Sequence, residues 1–146
     1  MLNVREATMT ELGRWYSALE TDFDERELLP LGAIRKAVRR GEQEFLLFCD
    51  EKTGIPEGYA LVCTKSVYGY VLLKYFGVFP WYRNQGVGVA AMRLIHRRYA
   101  DRQGILAELT AFDDSEDDSY LWKLKRFFSA LAISGCPAVT GWAAPK

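Results

Sequence analysis

The strongest constraint on the fold is a single junction, Val78-Phe79-Pro80-Trp81-Tyr82-Arg83-Asn84-Gln85-Gly86-Val87-Gly88-Val89, where an apolar run ends in proline and a glycine-bearing loop opens an amphipathic helix. Proline has no N–H to give a strand ladder, so the extended run stops there. A helix that starts directly afterwards leaves its first backbone N–H groups without intrahelical partners, and its dipole places partial positive charge at the same point. Such a junction suits an anion, a phosphate group above all. Gly86 and Gly88 remove side chains that would keep the anion from the main chain, and Arg83 adds a fixed charge at the mouth. A lone Gly-x-Gly also marks ordinary tight strand-to-helix turns, so the surrounding pattern must decide.

That pattern is mixed. Leu2 to Ala7 reads as a strand, and Thr8 with Glu11 forms a capping box for a helix near 10–20 that carries Leu12, Trp15, Tyr16 and Leu19 on one face. The charged stretch 22–27 interrupts it, and Pro30 opens a second helix, near 30–40, through Ile34 and Val38 to Gly41. Glu44 to Asp50, Gly58 to Thr64 and Tyr70 to Phe79 are rich in β-branched and aromatic residues and separated by turn residues, which predicts an antiparallel meander. A helix over 86–101 follows, with Val87, Ala90, Ala91, Leu94 and Ile95 on its apolar stripe and Arg93, His96 and Arg97 opposite, so His96 is expected at the surface. Ile105 to Thr110 is the next strand, and Tyr120, Leu124, Phe127, Phe128 and Leu131 mark a last helix over 119–132. The order predicts one α/β domain, residues 1–146, whose sheet is mostly antiparallel with one parallel crossover between residues 70 and 110.

Composition narrows the function. At 49% hydrophobic and 14% aromatic residues over 146 positions, the chain can build a core without metal or disulfide staples. Nineteen basic against nineteen acidic residues give no net charge, which argues against a nucleic-acid partner. Cys49, Cys63 and Cys136 are too scattered for a disulfide framework, and one histidine, His96, leaves no zinc constellation. With no cationic leader and no apolar run of about 18 residues, a cytoplasmic protein off the membrane is expected.

Arg83-Asn84-Gln85-Gly86-Val87-Gly88, after Val78-Phe79-Pro80, resembles the Gln/Arg-x-x-Gly-x-Gly/Ala signature of the GNAT family of N-acyltransferases. The element order matches from Leu2 to about Ile133, nearly the whole chain. The resemblance implies a sheet splayed between the strand ending at Phe79 and the strand at Ile105 to Thr110, with acetyl-coenzyme A entering the splay. Its pantetheine arm would pair with Phe76, Gly77 and Val78, Gly77 marking a strand bulge. Its pyrophosphate would rest on the amides of Arg83, Asn84, Gln85, Gly86, Val87, Gly88 and Val89. The implied reaction is acetyl transfer to the amine of a small molecule or peptide. Such an amine, with a pKa of about 10.4, must lose a proton before it attacks.

Several positions depart from that pattern. Lys74 stands where relatives frequently carry a glutamate base, which moves the role to Glu108 in the next strand or to Glu27 in a Phe-x-x-x-Glu segment starting at Phe23. Each also has a plain reading, Glu108 as a sheet-surface carboxylate beside Lys74 and Glu27 as a solvated turn. Phe128 replaces a tyrosine that can protonate the departing thiolate, and Leu121 replaces an asparagine that often contacts coenzyme A. After Ile133 there is room for only one of the two strands the family usually adds, Ala138 to Trp142, so the sheet is expected to lack its last strand or to borrow one in a homodimer. These departures keep open a second reading, a non-catalytic acyl-coenzyme A binding or regulatory protein. Arg97, Arg98 and Arg102 read either as contacts for the 3′-phosphate of coenzyme A or as a solvated basic helix end.

Overall fold

The computed structural model describes residues 1–67, 69–108 and 139–143. Six strands form one sheet in chain order: β1 (Leu2–Glu6), β2 (Gln43–Asp50), β3 (Pro56–Val67), β4 (Tyr70–Val78), β5 (Gly104–Glu108) and β6 (Val139–Ala143). The pairs from β1 to β4 are antiparallel, and β4–β5 and β5–β6 are parallel. Helices α1 (Met9–Asp22) and α2 (Leu31–Arg39) follow β1, and α3 (Val87–Arg98) connects β4 to β5. This is the mixed α/β sheet expected from the sequence, and β6 is the strand expected near Ala138 to Trp142. The helix expected over 119–132, with Leu121, Phe127 and Phe128, lies outside the described residues, as does Thr110.

Local chemistry fixes the helix ends. The Thr8 hydroxyl accepts from the Glu11 amide and the Glu11 carboxylate accepts from the Thr8 amide, both at 3.1 Å. Two apolar layers then sandwich the sheet. On one face Leu12, Leu19 and Ile34 pack with Phe45, Leu47, Tyr59, Leu61 and Tyr75; on the other Ala91, Met92, Ile95 and Tyr99 pack with Leu46, Phe48, Ala60, Val62, Val71 and Leu73. Covering both faces explains the unbroken buried run Phe45 to Cys49 in β2, which has no polar alternation. The stripe of α3 sits slightly off the expected one. Met92 is fully buried while Ala90 and Leu94 are only half-buried, because the sheet meets the helix along Val87, Ala91, Met92 and Ile95. His96 is likewise half-buried rather than at the surface: its Nε2 is enclosed without a hydrogen-bond partner among the described residues, and burial pushes its pKa down.

The feature that shapes the site is a β-bulge at Lys74. Leu61 of β3 faces Tyr75 and Val62 faces Leu73, so Lys74 is the extra residue. Side chains alternate along a regular strand, and Val71, Leu73 and Tyr75 would share one face. The extra residue resets the count: Val71 and Leu73 pack under α3, whereas Tyr75 packs against α1 and α2. The bulge expected at Gly77 is therefore displaced by three residues. Gly77 pairs regularly with Tyr59, and its role is space, since a Cβ there would stand 2.6 Å from the Tyr59 ring.

Candidate functional site

The β4–β5 pairing runs from Tyr70–Gly104 to Leu73–Ala107 and stops at the bulge. Glu108 continues alongside β6, opposite Ala143, but no longer pairs with β4. No later β4–β5 pair falls among the described residues. On the other edge of β4 the Phe79 amide donates to the Glu57 carbonyl at 2.9 Å, which makes Gly58–Val78 a non-hydrogen-bonded pair and gives the polar groups of Gly77 to β3. By the same alternation, the N–H and C=O groups of Phe76 and Val78 point away from β3, and the Val78 carbonyl accepts from Arg83 Nε. The Val78 N–H has no partner among the described residues.

The amide row follows in the chain. Pro80–Tyr82 form a single 3-10 turn, after which Asn84 (φ 62°) and Gly86 (φ 81°) both adopt left-handed backbone before α3 begins. A left-handed residue beside a right-handed one, as Gly86 is beside the first residue of α3, turns successive N–H groups inward as an anion-binding concavity. The first intrahelical bond of α3 is from the Ala90 amide to the Gly86 carbonyl. The N–H groups of Asn84, Gln85, Gly86, Val87, Gly88 and Val89 have no partner among the described residues. A Cβ on Gly86 would meet no protein atom within 4 Å, so the space before this row is open and only the backbone conformation demands glycine. The Gln85 side chain donates to the Trp81 carbonyl at 3.0 Å and braces the loop from within. Sequence spacing indicated the glycines but not the left-handed Asn84, a residue type that tolerates this conformation.

Arg83 has a more structural position than its charge suggested. Its Nε donates to the Val78 carbonyl at 2.8 Å and its Nη2 approaches Asp22 at 3.3 Å, while the Tyr59 hydroxyl donates to the other Asp22 oxygen at 2.8 Å. The end of α1, the end of β4 and the amide loop are thus tied at one point. The loop between α1 and α2 is tied as well. The Tyr75 hydroxyl donates to the Glu27 carbonyl and accepts from the Leu29 amide, and the Tyr16 hydroxyl donates to the Leu29 carbonyl. The bulge makes this possible by turning Tyr75 to that face. Asp22, Tyr59 and Tyr75 are site-forming residues that the sequence did not single out; only the pairing of a large ring with Gly77 hints at one of them.

The base candidates sit differently. Glu27 is exposed in the pinned loop, while Glu108 is level with Lys74, just past the last described β4–β5 pair. Of the basic residues at the end of α3, Arg98 bonds Glu44 at 2.5 Å and approaches Glu6, and Arg102 donates to the Thr64 carbonyl, so both hold the fold together. Arg97 is exposed.

No family model and no curated protein matches the chain. Solved structures do. An acetyltransferase of the GNAT family from Staphylococcus aureus Mu50 superposes with a TM-score of 0.62 at 16% identity, covering 89% of this chain and 81% of that one. A Trypanosoma brucei acetyltransferase gives 0.51 at 23% identity over 86% and 91%. A protein described as a transcriptional regulator from Bacillus halodurans gives 0.63 at 17% identity over 100% and 96%. At these identities the likeness establishes the fold.

Proposed function

We propose, from the GNAT fold that this chain adopts, that the protein is an N-acetyltransferase that binds acetyl-coenzyme A between β4 and the start of α3 and serves the amine of a small molecule or peptide. One observation carries this reading. The Val78 N–H faces away from β3 without a partner among the described residues, and a single 3-10 turn leads on to six consecutive backbone amides, Asn84 to Val89, that likewise have none among the described residues. An extended amide-bearing arm that ends in a pyrophosphate matches both features at once.

The chain's own groups divide the work. The amide row would hold the pyrophosphate, and Phe76 and Val78 would hold the pantetheine arm. Once bound, the cofactor supplies a thioester carbonyl activated toward amines. The Val78 N–H is the backbone donor available to that carbonyl oxygen, and a fixed donor stabilises charge as it develops there. Glu108 takes the amine's proton, directly or through water. A thiol with a pKa of about 8.5 leaves without a strong acid, which a phenylalanine at position 128 tolerates. Lys74, just past the last described β4–β5 pair and in place of the glutamate base of relatives, favours the rival reading, a protein that binds acyl-coenzyme A without turning it over.

Calorimetric titration with coenzyme A tests the site, and thiol release from acetyl-coenzyme A over a panel of amines tests the reaction. Binding with turnover supports the enzyme; binding with silence across the panel selects the rival. No binding overturns both.

A further inference from the structure

We propose that the groove between α1 and α2 is a second binding site, for a small organic anion whose oxyanion head sits on Arg35 and Arg39 and whose apolar body lies against Met9 and Leu31. The groove is open to solvent along much of its length, has a volume of about 520 Å³ and is lined by these four residues with Thr10 and Gly13. That is within the roughly 300–1,000 Å³ typical of small-ligand sites. It lies at the start of α1. Nine residues separate Gly13 from Asp22, or about 14 Å along the helix, so the groove is distinct from the amide row that Asp22 braces.

Two features besides the cavity volume point to an anion. Arg5, Arg83 and Arg98 each lie against a carboxylate, whereas Arg35 and Arg39, like Arg14, Arg40, Arg93 and Arg97, have no such partner among the described residues; only Arg35 and Arg39 line a groove together. They stand one turn apart on α2, where like charges repel. A carboxylate or phosphate shared between two guanidinium forks relieves that repulsion and satisfies their planar donors. The second feature is Gly13, inside α1, where glycine is a poor helix former. A Cβ at this position would stand 2.5 Å from Arg35 Nη2, so the missing side chain is the seat that fixes this guanidinium against α1. The neighbouring Met9 and Leu31 give the groove its apolar wall, which selects an anion with a hydrocarbon body over a bare ion.

The test uses hexanoate, acetate and hexylamine as probes of the full chain, followed by amide chemical shifts and calorimetry. Hexanoate is expected to bind saturably with shifts at Gly13 and Arg35, acetate more weakly, and hexylamine not at all. Arg35→Gln with Arg39→Gln should weaken hexanoate by about tenfold or more, the loss expected for two charge-assisted contacts. Gly13→Ala should lose binding similarly while the melting temperature holds or rises, an outcome that a purely structural role for Gly13 does not give. The double arginine variant should keep the parent's affinity for coenzyme A, which separates this proposal from the reading of the other site. Hexanoate binding unchanged in the double variant, or matched by hexylamine, overturns it.

Discussion

The two halves of β4 are made of the same kind of residue and do different things. From Tyr70 to Leu73 the strand is hydrogen-bonded on both edges, to β3 and to β5; from Phe76 to Val78 it is bonded to β3 alone among the described strands. Neither hydrophobicity nor β propensity separates them. What separates them is one extra residue, Lys74, which stands just past the last described parallel pair and reverses which face the following side chains occupy. The first half holds the sheet together, and in the second the Val78 N–H has no partner among the described residues. On the proposed function, a binding edge inside a sheet, rather than at its rim, comes from a local counting defect that the aromatic residues around it stabilise.

The most drastic way to break this contrast is to delete Lys74. Tyr75 and Phe76 would each move to the wrong face, and with a misplaced buried aromatic costing about 3–5 kcal/mol, the stability of an ordinary domain is consumed. We expect no cooperative unfolding transition by circular dichroism; a transition like the parent's would mean that the bulge is incidental. Next in size is Glu108→Gln. Loss of a positioned base slows a reaction by about 10²–10⁴-fold, so turnover should fall by that range with coenzyme A affinity retained and the acidic limb of the pH profile flattened. An unchanged rate and profile would transfer the role to Glu27. Gly86→Val acts on the amide row alone. A β-branched residue held at the φ of 81° costs about 1–3 kcal/mol in stability, and calorimetry should show coenzyme A binding abolished.

Smaller effects sharpen the comparison. Asp22→Asn removes the carboxylate that holds Arg83 beside Val78, and because the guanidinium is 38% exposed, solvent screening limits the loss to about 1 kcal/mol by urea denaturation. Coenzyme A affinity should weaken with it, since the brace belongs to the second half of β4. Glu11→Gln is the control at the start of α1, where it keeps the capping-box geometry but loses the ion pair with Arg5. The Arg5 hydrogen bonds hold the Glu11 carboxyl at about 2, below the roughly 4.3 expected in the unfolded chain. Its contribution is therefore full above the unfolded value and is lost as the pH falls toward the folded one. With both side chains partly exposed the gap between parent and variant should be about 1 kcal/mol at pH 7, closing between about pH 5 and pH 2, with coenzyme A affinity unaffected.

Much of this was legible in the residues. The capping box at Thr8, the helix behind Pro30, the meander and the glycine-bearing junction all rest on interactions within a few positions, and the junction also carries the family resemblance. The displaced features rest on contacts between distant segments. Where a bulge falls depends on which β3 residue each β4 residue faces, so Gly77 drew the expectation although the extra residue is Lys74. Arg83 read as a free charge because its partner, Asp22, is 61 residues away. His96 read as a surface residue because helical periodicity locates an apolar stripe only to within a residue or so, and the sheet packs α3 along Met92.

If the second half of β4 and the amide row together form the coenzyme A site, an amide-resolved NMR titration of the protein with coenzyme A should give saturable shifts at Phe76, Val78 and Asn84 to Val89, with Val71 to Leu73 unmoved. Saturation with shifts in the first half, or with the amide row silent, would contradict this assignment.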